Sequence, residues 1–177
     1  MSFNVSHVYF ESGDLPEMLK TLDLEPTGGV GTVSDFRLSV VRSGADGLFL
    51  CSESFLDVDD RRFAKLSRGG GVTLLTVCET ASVSVCCRYE SGHHEWTVSG
   101  SDEAEPPIWT ERNLPAKVAA AVESDSGWPI YVRPVRVFER YSNGMSYDGP
   151  IFDRPAEELR AVSIGFLMKM RHRFTGE

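Results

Sequence analysis

The sequence predicts an α+β fold: an antiparallel sheet with a central meander over about residues 72–99, and helices packed on one face. Three observations lead there. Val83, Val85, Cys87 and Tyr89 alternate with Ser82, Ser84, Cys86 and Arg88 ahead of Ser91-Gly92, which is the period-two mark of a half-buried strand entering a hairpin. Asp14-Leu15-Pro16-Glu17 and Asn113-Leu114-Pro115 each set a capping residue before an early proline, the signature of a helix start. The chain has 177 residues, 41% hydrophobic and 25% charged, the length and balance of one globular domain spanning 1–177.

Taken in order, Phe3 to Phe10 reads as a first strand, with apolar Phe3, Val5, Val8 and Phe10 in imperfect alternation. Asp14 caps a short helix ending near Leu22, and Thr27 to Thr32 is a glycine-rich connection. Phe36 to Val41 and Leu48 to Ser52 are strands joined across the turn-rich Ser43-Gly44-Ala45-Asp46-Gly47. Asp60 to Ser67 suits one or two helical turns, closed by Gly69-Gly70-Gly71.

The segment from Val72 to Ser99 carries most of the information. A two-residue turn at Ser91-Gly92 sets Glu90 against His93, Tyr89 against His94, Arg88 against Glu95, Cys87 against Trp96 and Val85 against Val98. Arg88 and Glu95 then form a charged pair on one face, while Cys87 and Trp96 share the apolar face. A turn near Glu79 to Ser82 sets Val72, Leu74 and Cys78 against Tyr89, Cys87 and Val83. In this register Trp96 points inward beside Cys87, and the centre of the molecule is scaffold.

Ser101 to Pro107 is acidic and proline-bearing, a surface loop. Leu114, Val118 and Val122 form a stripe at i, i+4, i+8 on the helix opened by Asn113. Ile130 to Arg133 reads as a short strand, Pro134 opens a helix reaching Tyr141, and Asn143-Gly144 stops it. Asp153, Pro155, Glu157 and Glu158 signal a last helix, with Leu159, Val162, Phe166 and Met170 inward. Lys169, Arg171, His172 and Arg173 would then complement its C-terminal dipole.

The charge of −8 argues against nucleic-acid binding by bulk electrostatics, which needs clustered Lys and Arg. It permits a basic protein partner, steered by opposite charge. No apolar run approaches the roughly 20 residues that cross a bilayer. Met1-Ser2-Phe3-Asn4-Val5 lacks the basic and apolar regions of a leader, so the expected location is cytoplasmic. Cys51, Cys78, Cys86 and Cys87 form no C-x-x-C pair and read as small hydrophobes in a reducing compartment.

Each motif that could carry chemistry has a plainer explanation. Gly28-Gly29-Val30-Gly31-Thr32 lacks the lysine of a phosphate-binding loop. Asp57-Val58-Asp59-Asp60 gathers carboxylates, but an EF-hand calcium loop counted from Asp57 would put Arg62 and Arg68 where Gly and Glu belong. His93-His94-Glu95 sits at a hairpin edge with no third metal ligand at diagnostic spacing. Cys86 with His93 as base lies several residue pairs apart along one hairpin. Trp109, flanked by Glu105 and Glu111, could anchor a protein partner or fold back over the helix at Leu114.

Glu95-Trp96-Thr97-Val98, the Leu114-Pro115 helix start, Tyr131 to Pro134 leading into a helix, and Ser146-Tyr147-Asp148 together resemble small uncharacterised bacterial α+β proteins. The likeness spans Gly71 to Gly149. Some similar proteins are encoded beside secreted toxins, and the resemblance implies an immunity role with no catalytic residues. The expected function is therefore a non-catalytic cytosolic binding protein with neither cofactor nor metal. It would meet a basic partner through Trp109, Asp102, Glu103, Glu105 and Glu111. The alternatives are an enzyme whose residues are dispersed around His93, Cys86 or Asp57 to Asp60, and a structural or assembly component.

Overall fold

The computed structural model of the chain describes residues 4–44, 46–54, 56, 59–103, 106–123, 127, 129–145 and 150–162. Its strands are β1 (Asn4–Phe10), β2 (Leu24–Thr32), β3 (Leu38–Ser43), β4 (Gly47–Ser52), β5 (Val72–Cys78), β6 (Val83–Glu90), β7 (His93–Ser101), β8 (Ile108–Arg112) and β9 (Pro155–Ala161). They form one sheet in the order β2-β9-β3-β4-β1-β5-β6-β7-β8, with every neighbouring pair antiparallel. The helices are α1 (Leu15–Leu22), α2 (Asp60–Leu66), α3 (Ala116–Glu123) and α4 (Arg133–Tyr141). The fold is a mixed α and β architecture around a large antiparallel sheet.

Both faces of that sheet are covered, where one had been expected. Val5 and Tyr9 of β1, Phe49 of β4 and Leu75 of β5 meet Val118 of α3 and Val135 and Phe138 of α4 on the first face. Val8, Phe10, Leu50 and Leu74 point the other way, onto Met18 and Leu22 of α1 and Phe63 of α2. The physical reason is legible in the strands. β4 is buried at every residue, and a strand buried on both faces reads as a continuous apolar run, not as an alternation.

The β6–β7 register also differs from the count. Ser91 and Gly92 do form a two-residue turn, with φ of 52° and 86°, the left-handed pair of a type I′ hairpin. Glu90 opposes His93 and Tyr89 opposes His94, but Arg88 then opposes Trp96 and Cys87 opposes Thr97. Glu95 is the extra residue of a β-bulge, and one inserted residue sends every later side chain to the other face. Trp96 and Cys87 therefore lie on opposite sides. Trp96 joins the first core and Cys87 the second, and the expected Arg88–Glu95 pair does not form. The antiparallel sheet survives this shift because each face has a core to receive the side chains sent to it. In β5–β6, Val72 opposes Tyr89, Leu74 opposes Cys87 and Cys78 opposes Val83.

Three further segments depart from expectation. Residues 155–161, expected as the start of a helix, form β9, which fills the sheet between β2 and β3. Pro155, Glu157 and Glu158 suit a helix entrance, but pairing with β2 and with the second edge of β3 outweighs local propensity. Ala156 and Leu159 enter opposite cores, Val162 is exposed, and Phe166 and Met170 lie outside the described residues. Ile130–Val132 is a 3-10 turn, not a strand. The expected connection Thr27–Thr32 belongs to β2, whose pairing with β9 is broken between Pro26 and Val30.

The helix starts behave unequally. Asp14 takes the N-cap position of α1 without a side-chain hydrogen bond, whereas Asp59 of α2 accepts one from the Arg61 amide. No described helix is long and apolar enough to cross a membrane.

Candidate functional site

β8 ends the sheet. On it Ile108 is 52% exposed, and Thr110, Glu111 and Arg112 are exposed as well. Trp109 is half-buried, packs against the first core, and carries the Arg133 guanidinium 5.7 Å from its ring centroid. Its cross-strand partner is Gly100, where any Cβ would collide with the Ile130 carbonyl. That close approach lets the 3-10 turn at Ile130–Val132 lie on the sheet beside Trp109.

Asp102 locks the same turn. Its two carboxylate oxygens accept from the amides of Ile130 at 3.0 Å and Tyr131 at 3.1 Å, and the Ser84 hydroxyl donates to the Tyr131 carbonyl. Asp102 is thus committed inside the molecule. Glu103 and Glu111 are exposed, and Glu105 lies outside the described residues. Of the five residues expected at a binding site, the structure brings Trp109 and Glu111 to one strand, places Glu103 on the adjoining loop, and uses Asp102 as an anchor.

The expected alternative centre does not assemble. His93 is exposed at the β6–β7 turn, whereas Cys86 is buried opposite Val98. Asp60 accepts a hydrogen bond from the Tyr89 hydroxyl at 2.7 Å, and Asp59 caps α2. Asp57 lies outside the described residues. Among the described residues no three His, Cys, Asp or Glu side chains converge on a metal position.

Two buried polar side chains escaped the sequence reading. Arg88 is 4% exposed. Its Nη2 lies 2.7 Å from Glu11 and 3.4 Å from Glu90, its Nη1 donates to Thr73 Oγ1 at 2.9 Å, and the guanidinium sits 4.9 Å from the Tyr141 ring centroid. Beside it, burial and the Glu11 carboxylate push the Tyr9 hydroxyl above its ordinary pKa, and that hydroxyl accepts from Asn143 Nδ2 at 2.7 Å. The signal for Arg88 was its alternation with Ser84 and Cys86, on the face of β6 that α4 covers.

The second is His7, which pairs across the sheet with Cys51. Its Nδ1 is buried without a hydrogen-bond partner, and burial lowers its pKa from 6.5 to about 4. Counting by two from Val5 to Tyr9 would have found it. Burial also raises the thiols of Cys51 and, well above the ordinary value, Cys86. A thiol held protonated is a poor nucleophile.

Comparison with protein-family models, with curated proteins and with solved structures returns no match.

Proposed function

We propose that the chain is a non-catalytic cytosolic binding protein of immunity type, which neutralises a basic toxin partner at the β8 edge. The observation that carries this reading is the edge itself. β8 closes the sheet order with a β-prone run, Ile108-Trp109-Thr110-Glu111-Arg112, and an open edge offers unpaired backbone donors and acceptors to an extended partner. The opposite edge, β2, is interrupted by Pro26 and a register break, features that discourage strand addition.

Glu103 on the loop before β8 and Glu111 within it present exposed carboxylates, and a charge of −8 speeds encounter with a cationic surface. Trp109, gripped by Arg133, stiffens the strand from behind. The raised thiol pKa values of Cys51 and Cys86 favour packing over covalent chemistry. The resemblance of residues 71–149 to small uncharacterised bacterial α+β proteins, some of them of immunity type, suggests the class of partner.

The test is affinity capture from the native cell, followed by binding kinetics on the recovered protein. Glu103→Lys with Glu111→Lys should weaken a basic partner about tenfold or more, mostly in association rate, with an effect that shrinks in high salt. Ile108→Asp adds negative charge while removing the exposed apolar residue, so it separates edge packing from steering. A partner that is acidic, or that binds all these variants as tightly as the wild type, would overturn the assignment.

A further inference from the structure

On the first face, β1 and β4 leave a cavity of about 280 Å³ beneath the 3-10 turns Val33–Asp35 and Pro150–Asp153. Val5, His7 and Cys51 line it from the sheet, Val33 from the first turn with Phe36 just after it, and Phe152 from the second. The volume falls just below the 300–1,000 Å³ usual for small-molecule pockets, which limits an occupant to one or two rings.

The wall is mostly apolar, with the rings of Phe36 and Phe152 in it, and its polar members are His7, Ser34, Ser52 and Glu53. The His7 ring lies edge-on to Phe49 at 5.4 Å and to Phe152 at 6.4 Å between centroids, the geometry that aromatic groups adopt with each other. Its Nδ1 is sealed from water and unpartnered, and buried polar atoms are rarely left so in a finished core. The terminal torsion of His is broad, so rotation about it can present a ring nitrogen to the cavity.

Charge narrows the ligand further. Among the described residues Glu53 is the one charged side chain lining the cavity, which disfavours an anion, and the mostly apolar walls disfavour any ion. His7 itself stays neutral near pH 7 because burial holds its pKa at about 4, so one ring nitrogen donates and the other accepts. A hydroxyl group satisfies either.

We infer that this cavity binds a neutral hydroxylated aromatic molecule of one or two rings, with the His7 imidazole as its polar contact. Nothing in this inference depends on the β8 edge.

The test uses the intact chain and three probes: 2-naphthol, naphthalene and 2-naphthoate. By calorimetric titration 2-naphthol should bind saturably at one site, naphthalene about three- to tenfold more weakly for want of one hydrogen bond, and 2-naphthoate not at all. In ¹⁵N-resolved spectra the His7 ring nitrogens should shift with 2-naphthol and not with naphthalene. His7→Phe should reduce 2-naphthol to the affinity of naphthalene, and Val33→Trp, which fills the cavity, should abolish both. If His7→Phe fails to fold, the three affinities of the wild-type chain decide. No saturable binding, equal affinity for 2-naphthol and naphthalene, preference for 2-naphthoate, or unmoved His7 resonances would each overturn the inference.

Discussion

Acid should find His7 before it reaches most of the carboxylates. The imidazole is buried, its Nδ1 has no partner, and its pKa falls from 6.5 to about 4. In the unfolded chain it takes a proton as pH drops through 6.5. In the folded chain it does so only near 4. Between those values the unfolded state binds more protons, so stability declines as pH falls and is constant, for this group, above 6.5. At 1.36 kcal/mol for each pH step, the loss amounts to about 3 kcal/mol, a large share of the 5–15 kcal/mol that holds a typical domain together. The assay is urea denaturation followed by tryptophan fluorescence, at half-unit steps from pH 7.5 to 4, on the wild type and His7→Phe. Carboxylates titrate in both chains and cancel in the difference. The gap in unfolding free energy should shift by about 3 kcal/mol towards the variant as pH falls. A gap independent of pH would refute the claim that His7 is held neutral by its surroundings.

Other outcomes follow from the same contacts. Glu11→Ala leaves the buried Arg88 guanidinium with Glu90 at 3.4 Å as its remaining carboxylate and should cost about 2 kcal/mol, while adding Arg88→Met should recover part of that loss because no uncompensated charge stays buried; urea titration of both variants checks it. Gly100→Ala drives a methyl into the Ile130 carbonyl and should cost about 1–3 kcal/mol, and Asp102→Ala, which orphans two amides, about 1–2 kcal/mol, both read from thermal or urea unfolding. Alkylation of the native chain, followed by mass spectrometry, should label the half-buried Cys78 first and reach Cys51 and Cys86 only on unfolding. Early labelling of Cys86 would contradict the burial described for it.

Much of the scaffold was legible because it rests on short-range chemistry. The alternation of residues 82–89 marks β6, Ser91-Gly92 supplies the two positive φ angles of its turn, and the prolines at 16 and 134 open helices in the first turn. Each signal acts within a few residues, so no knowledge of the rest of the chain is required. The candidate site was less legible. Trp109 was singled out for its acidic neighbours, yet its position follows from Gly100, Arg133 and the turn at Ile130, residues brought to it only by folding.

The amino-acid order alone determined that this chain makes strands, where most of them run, and that its surface is acidic. Only the tertiary structure decided which side of the sheet each residue faces. The bulged Glu95 exchanges the faces of β7, and β9 becomes a strand because β2 and β3 need a partner between them. Local preference at those positions is worth about 1 kcal/mol, less than closing a ladder of backbone hydrogen bonds and filling two cores. His7 is the consequence with most at stake: adjacent residues put it in a strand, but distant ones enclosed it without a partner.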